Sequence, residues 1–309
     1  MKKKKILIIG GTGFIGYHLA KKCIKSGWNV TSVSAHKPKK IRFIKKVKYI
    51  ICDISKKKKL YKKINAQYNY VINLGGYVDH SNSIKTFKSH FNGCKNLANY
   101  FLDKKIDTFI QMGSSGEYGK LKSPHTELIS GSPKSPYARA KLNATNYLSD
   151  LYKKKRFPVI TLRLYQAYGP RQDINRLIPI VIYNSLKSKN FPCSNGNQKR
   201  DFIFIDDLIS LIFKCLKKNK KNLFGKILNV GTGKPIKVKK IIQHISKKTK
   251  KGKPLYGKIK MRKDEILNIY PNINKTKKLL DWRPKTTLFK GLDKTIKSYE
   301  KEINKYTFS

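Results

Sequence analysis

Apolar residues occur in short blocks along the first half of the chain. The runs Lys5–Ile9, Asn29–Val33, Val47–Ile51, Tyr70–Leu74, Thr108–Met112 and Val159–Leu164 read as strands, being brief, rich in aliphatic residues and bounded by turn formers. Amphipathic stretches lie between them, among them Ile15–Ser26 and Tyr137–Lys153. Strands alternating with helices predict right-handed crossovers and an α/β fold with a doubly wound parallel sheet. In open sheets of this kind ligands bind at the carboxyl ends of the strands. Beyond Gly169-Pro170 the rhythm changes, with Pro or Gly at 179, 192, 196, 235, 252, 254, 257, 271 and 284. The expected division is a sheet domain over 1–168 and a smaller, irregular lobe over 169–309. One strand near Ile227–Val230 is expected to return to the main sheet.

Composition narrows this picture. With 309 residues, 39% hydrophobic and 11% aromatic, the chain can build a sizeable core, which excludes global disorder. Lys and Arg total 70 against 17 Asp and Glu, a formal charge of +53 that attracts anions of every kind. Only nine of these cations are arginine, and the lysines spread from Lys2 to Lys305. A dedicated nucleic-acid binder concentrates charge on one face and favours arginine, so no specific nucleic-acid partner is expected. The excess of Lys, Ile, Asn, Tyr and Phe fits the codon usage of an AT-rich genome. The five cysteines, Cys23, Cys52, Cys94, Cys193 and Cys215, form no CxxC pair, and the six histidines show no ligand spacing. Neither a disulfide framework nor a metal is expected. The basic start and the apolar run from Ile6 stop at Gly10-Gly11, too short for a signal sequence. No segment reaches the ~20 apolar residues of a membrane span. These readings point to a reducing cytoplasm and no membrane partner.

The segment Gly10-Gly11-Thr12-Gly13-Phe14-Ile15-Gly16 follows the first strand and opens a helix. Glycines at 10, 13 and 16 allow a tight turn, backbone approach to a pyrophosphate and close helix–strand packing. Free N–H groups at the helix start favour the anion. This predicts a Rossmann-type dinucleotide site. Ser34 ends the second strand, where a carboxylate would bind the ribose of NAD, and His36, Lys37, Lys39, Lys40 and Arg42 follow it. A serine with cations suits a 2′-phosphate, so the expected cofactor is NAD(P), with NADP favoured. Asp53-Ile54, after the third strand, is placed to contact adenine.

A tyrosine four residues before a lysine means little here. Chance alone supplies about four such pairs in a chain with 18 tyrosines and 61 lysines, and six are present. Context selects Tyr137 and Lys141. Pro133 and Pro136 precede them as at a helix start, and the i,i+4 spacing puts both side chains on one face. The strand Thr108–Met112 ends in Gly113-Ser114-Ser115 at the cofactor edge of the sheet. A hydroxyl, a phenol and an ammonium converging on a nicotinamide make chemical sense. The cation stabilises a phenolate, which suits the tyrosine to general acid–base work.

These residues resemble the NAD-dependent epimerase/dehydratase family of extended short-chain dehydrogenase/reductases, which act on nucleotide sugars. The resemblance rests on Gly10–Gly16, Asp53, Asn73-Leu74-Gly75-Gly76, Ser114…Tyr118-Gly119, Ser135-Pro136-Tyr137…Lys141 and Leu162–Pro170. It continues through Lys199–Asp207, Asn229–Gly233 and Leu280–Pro284. It implies Ser114, Tyr137 and Lys141 as the catalytic set. Cofactor contacts are implied at Gly10, Gly13, Phe14, Ile15, Gly16, Ser34, His36, Lys37, Asp53, Ile54, Leu74, Gly75, Gly76, Tyr137 and Lys141. Substrate contacts are implied at Ser115, Gln166, Arg200 and Arg262, the two arginines gripping a diphosphate as bidentate forks.

The sequence also departs from the family. The 4,6-dehydratases carry an acid pair just after the catalytic Ser/Thr; here those positions are Ser115 and Gly116, and Glu117 comes one residue late. Asn73 replaces a common histidine, His90 a common asparagine, and Gln166 stands where many members have asparagine. The resemblance implies reversible hydride transfer at a sugar carbon, C4, of a nucleoside-diphosphate sugar, by an epimerase or a 4-ketoreductase. A 4,6-dehydratase and a non-catalytic dinucleotide-binding regulator remain as alternatives. By the same resemblance a homodimer is expected, paired through the helices near Tyr137–Lys153 and Phe87–Asp103.

Overall fold

A computed structural model describes residues 3–77, 82–217, 222–261 and 265–306. Its centre is a parallel seven-stranded sheet. The strands are β1 (Lys5–Ile9), β2 (Asn29–Ser34), β3 (Val47–Ile51), β4 (Tyr70–Asn73), β5 (Thr108–Ser114), β6 (Val159–Leu164) and, from the second half, β11 (Ile227–Val230). Their spatial order is β11-β6-β5-β4-β1-β2-β3. The chain builds outward from β1 to β3, then crosses back to place β4 on the other side of β1. That reversal opens a crevice at the carboxyl ends of β1 and β4, where doubly wound sheets bind ligands.

Strand side chains alternate between the two faces. Ile6 and Ile8 pack with α1 (Phe14–Lys25) and residues of the second half, whereas Leu7 and Ile9 pack with α2 (Lys57–Lys63), α4 (Gly93–Leu102) and α5 (Pro136–Lys155). The central strands β1, β4, β5 and β6 are buried on both faces, which is why they read as continuous apolar runs, whereas the edge strand β3 is only partly covered. Before α4 comes the short helix α3 (Ser83–Phe87), joined to it by a π-helical turn over Lys88–Asn92. β5 runs two residues past the sequence expectation because Gly113 and Ser114 keep pairing with Arg163 and Leu164 of β6. Ser114 is therefore the last strand residue.

The second half adds β7 (Gln166–Tyr168), α6 (Leu177–Leu186), β8 (Phe191–Pro192), β9 (Lys199–Arg200), β10 (Phe202–Phe204) and α7 (Ile205–Lys217). After β11 come β12 (Ile236–Lys237), α8 (Val238–Thr249), β13 (Pro254–Leu255), β14 (Asn268–Ile269), α9 (Asn274–Leu280) and α10 (Leu288–Glu302). Its strands form small sheets, β10 beside β7, and β9 between β12 and β14. Two buried polar residues fasten this half to the sheet. Asn229 accepts the Tyr118 hydroxyl at 2.7 Å and donates to the His125 carbonyl at 2.9 Å. Asp201 accepts the Thr232 N–H at 2.7 Å, its hydroxyl at 2.9 Å and the Lys234 N–H at 3.1 Å. Buried polar groups are tolerated when satisfied in this way.

Candidate functional site

The glycine turn sits at the crevice. Gly10 has φ +75° and donates its N–H to Val33 O at 2.8 Å, while the Gly13 N–H returns to Gly10 O at 3.0 Å. A Cβ at Gly16 would collide with Gly10 O, and one at Gly10 would lie 3.1 Å from the Leu74 carbonyl. The turn after β1 and the loop after β4 thus touch through glycine. Helix α1 begins at Phe14 with no side-chain cap and no acid in its first turn. Its N–H groups are free for an anion, the condition a dinucleotide pyrophosphate requires. Phe14 and Ile15 lie half-buried in that first turn.

Ser34 is buried at the end of β2, and its Oγ accepts the Thr12 N–H at 3.3 Å. His36 and Lys37 are exposed beside it. Two of the cations that follow point elsewhere. Arg42 is buried and holds Asp173 through both terminal nitrogens, and Lys39 Nζ lies 3.5 Å from the same carboxylate. Burial alone would push the Asp173 carboxyl up, but the Arg42 bonds and charge hold it below the ordinary carboxylate range. The Asp53 carboxylate accepts the Ser55 N–H at 2.8 Å. The Ile54 side chain is buried between Gly75 and Gly93, and its carbonyl takes the Asn96 amide at 3.0 Å, so Ile54 forms the floor of this region. Under the loop Leu74-Gly75-Gly76, Asn73 donates to Gln111 Oε1 at 2.8 Å and accepts the Gly75 N–H at 3.1 Å. The Cys94 thiol, pushed up to about 12 by burial, donates to the same Gln111 oxygen at 3.3 Å.

Ser114, Tyr137 and Lys141 come together beside this loop. Ser135 caps α5 by accepting the Ala138 N–H at 3.2 Å, and Pro136 presets the first turn. Tyr137 therefore leaves the helix start, and Lys141 follows one turn on. Lys141 is 4% exposed, and its Nζ donates to Met112 O at 2.7 Å, 5.9 Å from the centre of the Tyr137 ring. Gly116 separates serine from tyrosine: a Cβ there would stand 3.3 Å from Ser114 Oγ and 4.0 Å from Tyr137 Cε1. Ser115 is half-buried beside Ser114.

Glu117, one residue past the positions of the dehydratase acid pair, has a structural role. Its side chain is wholly buried. One oxygen accepts the Ser114 N–H at 2.8 Å; the other accepts the Thr145 hydroxyl at 2.9 Å and the Arg163 Nε–H at 2.8 Å. The Ser114 side chain accepts the Gly116 N–H at 3.1 Å in return, completing a capping box on the turn Ser115–Tyr118. The Ser-x-x-Glu spacing at 114–117 is the signal for this arrangement. Glu117 braces the end of β5 and does not face the crevice.

The substrate side is less convergent. Gln166 is exposed on β7, and its N–H donates to Asp201 O at 3.1 Å, which brings it close to Arg200. The Arg200 guanidinium pairs with Glu265 and donates to Lys199 O at 2.8 Å and Leu267 O at 3.3 Å. A diphosphate there would meet an arginine already partnered by a carboxylate. Arg262 lies outside the described residues. Among the described residues no group of three His, Cys, Asp or Glu side chains could hold a metal, and no helix is long and apolar enough to cross a membrane.

Comparison with known proteins agrees with this geometry. The chain is 28% identical over 301 residues to CDP-abequose synthase of Salmonella muenchen, covering 96% of this chain and 98% of that protein. It superposes with a TM-score of 0.89 on UDP-glucose 4-epimerase with UDP-glucose from Thermotoga maritima, at 23% identity and covering 97% and 99% of the two chains. It superposes with a TM-score of 0.84 on dTDP-glucose 4,6-dehydratase in complex with NAD from Bacillus anthracis, at 24% identity and covering 98% of each. Residues 6–231 match the NAD dependent epimerase/dehydratase family, and with the glycine turn, the parallel sheet and the Ser–Tyr–Lys cluster in place, the chain belongs to that family.

Proposed function

We propose that this protein is an NAD(P)-dependent epimerase or 4-ketoreductase of nucleoside-diphosphate sugars, with 1–168 holding the cofactor and 169–309 the sugar nucleotide. The observation that carries this reading is the convergence of Ser114, Tyr137 and Lys141 at the β1/β4 crevice. The residues there fit a dinucleotide: glycine turn and uncapped α1 for the pyrophosphate, Ser34, His36 and Lys37 for the adenosine ribose. The bound nicotinamide supplies the hydride acceptor and donor. Tyr137 removes the proton from the sugar hydroxyl and returns it, Ser114 holds the same oxygen, and the Lys141 charge stabilises the phenolate. Dehydration is disfavoured because Ser115 and Gly116 carry no acid and Glu117 is consumed by Arg163 and Thr145.

NADP is the favoured cofactor because no carboxylate stands at Ser34. That preference rests chiefly on Ser34, His36 and Lys37, since Arg42 and Lys39 serve Asp173. The UDP-glucose and NAD named with the two structural neighbours support the ligand classes. A homodimer through α5 and the α3–α4 helix, in a reducing cytoplasm, completes the proposal; all five cysteines are buried free thiols. The deciding experiment incubates the protein with a panel of UDP, dTDP, GDP and CDP sugars and each cofactor. Epimerisation without net cofactor consumption marks an epimerase, and stoichiometric NADPH oxidation marks a reductase. Formation of 4-keto-6-deoxy sugar, or no turnover of any member, would overturn the reading.

A further inference from the structure

His90 bears on the same site through its contact with Tyr137. It belongs to the π-helical turn Lys88–Asn92, and such turns inside helices occur frequently at functional sites. The turn shifts the helical register, and His90 comes to lie buried against the start of α5. Its ring meets the Tyr137 ring edge to face, with centroids 4.9 Å apart and planes at 82°. Its Nε2–H donates to the Tyr77 carbonyl at 3.1 Å, because a carbonyl can only accept. The preceding residue grips the other side of the same peptide: Ser89 Oγ accepts the Tyr77 N–H at 2.9 Å and donates to Thr86 O at 3.1 Å. Gly76, at φ +152°, leaves the space the imidazole fills, and a Cβ there would run into the ring.

One side chain thus touches both the loop after β4 and the phenol. Resting on the acid–base assignment of Tyr137, we propose that His90 is the positioning residue for that phenol: the Tyr77 carbonyl fixes the imidazole, and the imidazole fixes the plane of the tyrosine ring. Asparagine, common at this position in the family, has the amide to reach a carbonyl but no ring to lay against tyrosine.

Two substitutions separate the parts. His90→Phe keeps a ring and loses the donor; His90→Asn keeps a donor and loses the ring. In cofactor-loaded protein labelled at tyrosine Cζ with carbon-13, the line lost in Tyr137→Phe reports Tyr137. We expect His90→Asn and His90→Ala to shift or broaden that line most, and His90→Phe, which keeps a ring but loses the bond to the Tyr77 carbonyl, to shift it less. With any accepted sugar nucleotide, His90→Asn should lower kcat by ~10–100-fold, the cost of a reacting group misplaced by about 1 Å, with KM unchanged. His90→Phe should lower kcat by less than His90→Asn does. The proposal is overturned if His90→Asn leaves line and kcat unchanged, or if His90→Asn retains function while His90→Phe loses it. Should no nucleotide sugar be turned over, the resonance alone decides the role of His90, and it is the assigned function that fails.

Discussion

Replacing Glu117 by glutamine separates a structural brace from a catalytic acid. Glu117 is 0% exposed and its ionic partner Arg163 is 3% exposed. The glutamine amide has one acceptor oxygen and one donor nitrogen. It can serve the Ser114 N–H or the Thr145 and Arg163 donors, but not both, because the nitrogen would face another donor. Arg163 is left as a buried, unpaired cation. Breaking a buried pair by removing one partner costs about 3–5 kcal/mol. Across 309 residues that lowers the melting temperature by about 5–8 °C. Turnover at 20 °C, with any accepted sugar, should fall by less than about tenfold, because loss of a general acid costs ~10²–10⁴ and Glu117 is not one. Glu117→Gln/Arg163→Met should recover part of the stability, since the unpaired buried cation is gone and the glutamine oxygen can still accept the Ser114 N–H. Calorimetry at pH 7 and an activity assay below the transition check both halves. A loss of turnover beyond about 100-fold at an unchanged melting temperature would refute the reasoning. It would mean that Glu117 reaches the substrate and that dehydration returns as the activity.

Tyr137→Phe should reduce turnover ~10²–10⁴-fold and leave cofactor affinity nearly unchanged, as read by steady-state kinetics and calorimetric titration. Near-normal turnover would remove the phenol from the acid–base role. Arg200→Ala should weaken sugar-nucleotide binding about 10–100-fold, persisting at high salt, whereas a random surface Lys→Ala gives a small effect that salt abolishes. Because Arg200 is paired with Glu265, Glu265→Gln should tighten the same binding; a weakening would show that the diphosphate lies elsewhere. His18 supplies a pH test. Burial pushes its imidazole down to about 4 from an ordinary 6.5, and its Nε2–H donates to Pro170 O at 2.8 Å. The folded state keeps it neutral while the unfolded chain takes a proton below 6.5. Its share of stability is thus present above pH 6.5 and lost as pH falls towards 4, on the order of 2–3 kcal/mol. Urea unfolding of wild type and His18→Gln should therefore converge on acidification, and parallel curves from pH 6.5 to 4 would contradict this.

The seven main strands, the glycine turn, the start of α5 and the pairing of Tyr137 with Lys141 were all legible in the sequence. Each depends on local rules: strands buried on both faces read as apolar runs, a pyrophosphate turn needs glycine where a Cβ would collide, and i,i+4 spacing fixes a helix face. The signal for Glu117 was also local, in the Ser-x-x-Glu spacing, but its meaning depended on Arg163 and Thr145 arriving behind it. What only the tertiary structure decided is which charged side chains are already engaged. Arg42 finds Asp173 across 131 positions, and Arg200 finds Glu265 across 65. In a chain of 61 lysines, composition cannot say which cation is free for a ligand, because every carboxylate has many partners at similar cost. Packing chooses among them by burying one guanidinium against the carboxylate it meets. The edge-to-face contact of His90 with Tyr137 arises in the same way. It needs a π-turn, a glycine and two helices from separate parts of the chain, and no spacing rule connects them.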